Sequence, residues 1–181
     1  MSTGFNLESS GRIILRLDEV ERMMLLSLCE QMVALVTPQD RDPDADPLFA
    51  LVGIEPSVER PEDEVILRLF PDAYNDDEHA ASDFRRFTER DLRQTKTNHA
   101  QTVQESLQRS GEKVVLSMAV APSWLGFLND VRLALGSRMG IDDDFHDEAA
   151  NLDEDDPLLA MLDVYDWLTY LQETLVQILL A

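Results

Sequence analysis

The 181 residues carry 36 Asp and Glu against 15 Lys and Arg, a formal net charge of −21, and 44% of them are hydrophobic. That much apolar material builds a core and excludes a wholly disordered acidic chain, while so negative a body repels the phosphate backbone and excludes direct DNA or RNA binding. One cysteine, Cys29, excludes an intrachain disulfide, a four-cysteine zinc site and a C-x-x-C redox pair, and points to the cytoplasm.

The first ten residues read as a flexible N-terminus with no secretory leader pattern. G-R-I-I-L-R-L, Gly11 to Leu17, is short and β-branched and predicts a strand; Asp18 and Glu21 then form a D-x-x-E cap. From Glu19 to Val36 the residues Val20, Met23, Met24, Leu28, Met32, Leu35 and Val36 recur at helical spacing, with Leu25 and Leu26 widening the stripe. Pro38 ends this helix. After a polar loop, Asp46 and Pro47 start a short helix, Leu48 to Val52, closed by Gly53. P-E-D-E-V-I-L-R-L-F-P, from Pro61 to Pro71, is helical, its acids placed at the positive end.

Helix resumes near Glu78 and runs to Arg109. Its thin stripe of Ala80, Phe84, Phe87, Leu92, Thr95, Thr102, Val103 and Leu107, with a restart at Thr88 and Asp91, predicts one-sided packing. Gly111 breaks it, Glu112 to Met118 is a second strand, and a helix from Pro122 to Met139 is capped by Gly140. Residues 142 to 156 hold nine acids and no Lys or Arg, an exposed acidic loop. Asp156 and Pro157 then start a last helix that is apolar nearly all round. That surface predicts either the central core helix or a homodimer seam. The expected fold is mainly α: a single helical-bundle-like domain of five or six helices with a two-stranded β ribbon, its core in helices 19–36, 122–139 and 157–180.

Chemistry is sparse. An EF-hand reading at Asp142 fails because Asp147 stands where Gly is required and Asp153 where a bidentate Glu is required. His79, His99 and His146 share no metal-binding spacing, G-x-S-x-G and both glycine-rich nucleotide motifs are absent, and no cofactor is implied. Cys29 sits mid-helix among Leu25, Leu28, Met32 and Val33 and reads as a core thiol, the only redox candidate. In the helix after Pro122, Asn129, Asp130 and Arg132 interrupt an apolar run. Arg132 is expected to face the last helix and pair with Glu173, in a polar cluster with Asn129, Tyr165 and Trp167. Structurally that cluster fixes a helix crossing; functionally it is a pocket for a small ligand or an enzyme's substrate.

L-R-L-F-P-D-A-Y (Leu67 to Tyr74), F-L-N-D-V-R-L-A-L-G-S-R-M-G-I (Phe127 to Ile141) and V-Y-D-W-L-T-Y-L-Q-E-T-L-V (Val164 to Val176) together resemble an actinobacterial domain-of-unknown-function family that includes the AosR-type oxidative-stress regulators. The resemblance implies a cytoplasmic, non-enzymatic regulator. Members sense oxidants through a C-x-x-x-C pair and act on transcription by contacting a sigma factor of RNA polymerase. Leu25 and Val33 stand four residues either side of Cys29, so that pair has no second thiol here. The expected partner is basic protein, a sigma factor or RNA polymerase, with no direct nucleic acid and no membrane.

Overall fold

The computed structural model describes residues 3–37, 63–71, 78–142, 145, 153 and 156–181, with side chains 78–86 excepted. The expected helix at Leu48 to Val52, and the acidic loop apart from Asp142, Phe145, Asp153 and Asp156, lie outside these residues. In chain order the elements are β1 (Phe5–Leu7), β2 (Ile13–Arg16), α1 (Glu19–Val36), α2 (Glu64–Leu69), α3 (Glu78–Arg109), β3 (Lys113–Leu116), α4 (Ala121–Met139) and α5 (Pro157–Leu180). The fold is mainly α with one small antiparallel sheet, ordered β1-β2-β3.

The helix ends follow from capping chemistry. Asp18 Oδ1 accepts from the Glu21 amide at 2.8 Å and Glu21 Oε2 accepts from the Asp18 amide at 3.0 Å, which satisfies two donors the first turn leaves unpaired. Asp63 caps α2 through the Val65 amide at 2.9 Å, and Asp156 caps α5 through the Leu158 amide at 2.9 Å. Gly140, at φ 67°, closes α4 with amides 140 and 141 returning to carbonyls 137 and 136.

The sheet has three strands where the sequence predicted two, and residues 5–7 are paired where a flexible terminus was expected. Phe5 stands opposite Leu15 and Ile13 opposite Leu116. The Phe5 amide, on the outer edge of β1, donates to Thr174 Oγ1 of α5 at 3.0 Å, and the Phe5 ring meets Trp124 edge-on at 5.6 Å. A three-residue strand holds its place through these distant partners, which local pattern does not reveal.

The helices alternate in direction around α4. Arg22 of α1 donates to the Leu107 carbonyl near the end of α3, and Arg93 of α3 donates to the Val36 carbonyl, the last of α1, at 2.7 Å. Each helix thus supplies a cation to the negative end of its antiparallel neighbour. α4 packs on α2, α3 and α5. Its buried residues number seven, against Leu168, Leu171 and Leu175 alone in α5. The central position therefore belongs to α4, and the last helix flanks it.

One expected face is corrected. Phe87 is 56% and Leu92 43% exposed, and Thr95 is exposed too. The side chains of Ala80 and Phe84 lie outside the described residues; Val103 and Leu107 of the expected stripe are buried, but the inward line runs on from them through Ala100, Lys96, Arg93 and Glu89, at steps of three and four. Its first half is charged because partners await those charges, a condition the apolar pattern does not register.

Candidate functional site

Arg132 does face α5, but its acceptors are neutral. Nε donates to Thr169 Oγ1 at 2.8 Å, Nη1 to Gln172 Oε1 at 2.6 Å and Nη2 to Tyr165 Oη at 3.2 Å, with the guanidinium 5.0 Å from the Tyr165 ring centre. Tyr165, Thr169 and Gln172 recur at steps of four and three and so line the face of α5 turned to α4; Glu173, one residue further round, is exposed. The expected Arg132–Glu173 ion pair is therefore replaced by a neutral hydrogen-bond fork. Trp167 is half-buried against the core and Asn129 half-buried one turn before Arg132; of the expected cluster, the fork joins Arg132 to Tyr165. With three donors of Arg132 engaged and the carboxylate elsewhere, the cluster fixes the α4–α5 crossing. In the alternative reading of this cluster as a pocket, Arg132 and Glu173 do not meet.

The buried ion pair lies one face away and joins two residues the sequence reading did not pair. Lys96 Nζ of α3 stands 2.6 Å from Asp130 Oδ1 of α4, their side chains 15% and 6% exposed. Around it, Glu89 Oε1 accepts from Arg93 at 2.5 Å, and Phe70, just past α2, takes the Arg93 guanidinium at 4.5 Å and the Lys96 ammonium at 5.7 Å from its ring centre. Three helices meet on this cationic pair. The signal available in sequence was an Asp interrupting an apolar helix, together with Glu89, Arg93 and Lys96 at helical spacing.

α4 also carries two glycines under neighbouring rings. A Cβ at Gly126 would stand 2.3 Å from His99 Nδ1, whereas one at Gly136 would stand 3.6 Å from Tyr165 Cε2. His99 is thereby held ring-on-backbone between α3 and α4. Among the described residues no three His, Cys, Asp or Glu are grouped to hold a metal ion.

Cys29 is 1% exposed in the core. Burial first, and the neighbouring Glu30 carboxylate second, push its thiol up to about 12. The attacking species in thiol chemistry is the thiolate, so this sulfur packs as a small apolar group. As a redox candidate it has neither access nor ionisation.

What α1, α2 and α4 leave open is an apolar groove of about 370 Å³. Leu28, Met32 and Leu35 form one wall, Val65 one end, and Val131 and Leu135 the other wall, with Gln31 and Arg138 at the margin. Arg138 is neutralised there by Asp63 at 3.0 Å. No helix among the described residues is long and apolar enough to cross a membrane.

With that geometry in place, similarity to known proteins is informative. The family model for "Domain of unknown function (DUF2017)" matches residues 2–179. A Mycobacterium leprae protein bearing the AosR name is 32% identical. Proteins of Mycobacterium bovis and Mycobacterium tuberculosis named oxidative stress regulator AosR are 31% identical. Each alignment covers 89% of this chain and 79% of the relative. No solved structure matches.

Proposed function

The chain belongs to the DUF2017 family, and from that footing we propose that it is a non-enzymatic regulator of the oxidative stress response that acts on transcription by docking a basic protein partner, a sigma factor or another RNA polymerase subunit, in the cytoplasm. The observation that carries this reading is the name of its relatives, oxidative stress regulators aligned along 89% of the chain. The charge of −21 supports the mode of action, because complementary potentials steer encounter with cationic protein and oppose nucleic acid. Cys29, the one thiol in these 181 residues, is buried and protonated. Regulation in this chain accordingly runs without an intrachain disulfide, through partner occupancy.

The test is affinity purification of the tagged chain from native lysate at low salt, with bound proteins identified by mass spectrometry. Recovery of a sigma factor or polymerase subunit, lost at high salt, is expected; repeated absence of both overturns the reading. We further propose that two copies pair through α5, which buries only Leu168, Leu171 and Leu175 along its 24 residues. Sedimentation showing a monomer at high micromolar concentration retires that part alone.

A further inference from the structure

We propose that the outer edge of β3 receives an extended, acidic strand of a partner protein, which joins the sheet as a fourth strand. The assignment goes beyond the regulatory reading and stands without it. The sheet has two edges, and α5 meets one of them, where the Phe5 amide of β1 donates to Thr174 Oγ1 at 3.0 Å. On the other edge the register fixes what is left over. The Leu17 amide donates to the Glu112 carbonyl at 3.0 Å, so residues 17 with 112, 15 with 114 and 13 with 116 are the hydrogen-bonded pairs. The amides and carbonyls of Lys113 and Val115 therefore point away from β2. Both residues are exposed, and among the described residues nothing pairs with those four backbone groups. Such a row is a template for an added strand.

The charges placed beside this edge select the strand. Side chains alternate, so Ile13, Leu15, Leu17, Val114 and Leu116 enter the core while Arg12, Ile14, Arg16, Lys113 and Val115 stand on the outer face. Glu8 of the β1–β2 turn shares that face, and its carboxylate accepts from Lys113 Nζ at 2.8 Å. That hydrogen bond, helped by the Arg12 charge, holds Glu8 below the usual carboxylate range. Arg16 stands directly opposite Lys113, a like-charged pair that is unfavourable by itself, and among the described residues it has no hydrogen-bond or ion-pair partner. The Lys113–Glu8 pair is exposed at both ends, so it holds Lys113 weakly. On an added strand the residue opposite Lys113 lies on this same face, and Asp or Glu there offsets the Arg16–Lys113 repulsion. A second copy of β3 would instead bring further cations. At physiological ionic strength exposed charges more than about 8 Å apart are largely screened, so these three cations and one acid decide the contact, rather than the total of −21.

The experiment uses the full chain and three labelled synthetic peptides: alternating Glu and Val, the same with Lys in place of Glu, and the Glu–Val peptide with N-methylated backbone amides. Fluorescence anisotropy is expected to show the Glu–Val strand binding at least tenfold more tightly than either control. Arg16→Glu with Lys113→Glu is expected to reverse the preference between the two charged peptides. Val115→Pro removes one outward amide and leaves the β2 ladder its bonds at residues 114 and 116, as proline on an edge strand does. It is expected to weaken binding at least tenfold with an unchanged urea midpoint. Should that variant fail to fold, amide exchange of the unsubstituted chain decides: the Glu–Val strand is expected to slow exchange at Lys113 and Val115 more than at Val114. Equal binding of the N-methylated peptide would mean charge alone, and protection elsewhere would place the strand elsewhere. Either overturns the assignment, as does an unreversed preference or a dimer that Val115→Pro disperses. A chain that binds the Glu–Val strand at this edge and captures no polymerase subunit keeps the edge and loses the regulator; the opposite pair of results does the reverse.

Discussion

Lys96 Nζ and Asp130 Oδ1 meet at 2.6 Å across the α3–α4 interface, with Asp130 only 6% exposed, while Arg132, two residues on, satisfies itself on neutral oxygens of α5. Asp130 and Arg132 thus serve different interfaces by different chemistry. Removing Lys96 leaves a desolvated carboxylate with no counter-charge, whereas removing both charges leaves an ordinary apolar contact. Lys96→Met is expected to cost roughly 3–5 kcal/mol, and Lys96→Met with Asp130→Leu to recover most of it. Urea unfolding of the two variants decides.

The two glycines of α4 are expected to respond in opposite directions. Gly126→Ala drives a methyl to 2.3 Å from His99 Nδ1 and is expected to destabilise by ~1–3 kcal/mol. Gly136→Ala meets Tyr165 at an ordinary 3.6 Å and gains helix propensity, up to ~1 kcal/mol of added stability. Adding His99→Ala to Gly126→Ala should return much of the loss. Thermal midpoints of the three proteins, measured side by side, test the packing.

Cys29 makes an alkaline signature. Its thiol sits at about 12 in the folded chain against 9.0 ordinarily, so above pH 9 the unfolded state has released a proton that the folded state still holds. Its contribution to stability is therefore complete below pH 9 and declines between pH 9 and about 12, by ~1.4 kcal/mol per pH unit. Wild type is expected to lose stability more steeply over that window than Cys29→Ala. Equal slopes would refute a desolvated thiol, as would rapid maleimide labelling of native protein.

At the α4–α5 crossing the neutral fork predicts an asymmetry. Glu173→Gln should leave stability within about 0.5 kcal/mol, as for an exposed side chain. Arg132→Met strands the Gln172 and Thr169 oxygens and is expected to cost ~1–3 kcal/mol. A double-mutant cycle between Arg132 and Glu173 should show no coupling, and a coupling near 1 kcal/mol would restore the ion pair inferred from sequence.

Thr174→Val removes the acceptor of the Phe5 amide and keeps the side chain's shape. The expected cost is ~1 kcal/mol. Amide exchange at Phe5 should accelerate more than at Ile13, whose strand is paired on both sides.

The sequence by itself determined where the long helices begin and end. Asp18 with Glu21, Asp156 with Pro157, and Gly140 each act on backbone groups within four residues, so their chemistry is complete in the local string. It also determined that Cys29 is core, since its apolar neighbours at three- and four-residue steps put it on an inward stripe. Tertiary structure alone decided the rest. β1 exists because Leu15 pairs with Phe5 and Thr174 receives its amide from 169 residues away. The inward face of α3 is charged because Asp130, the Val36 carbonyl and the Phe70 ring stand opposite Lys96 and Arg93. Burial of a charge depends on the partner that meets it, and no periodicity within one helix records what another helix will bring.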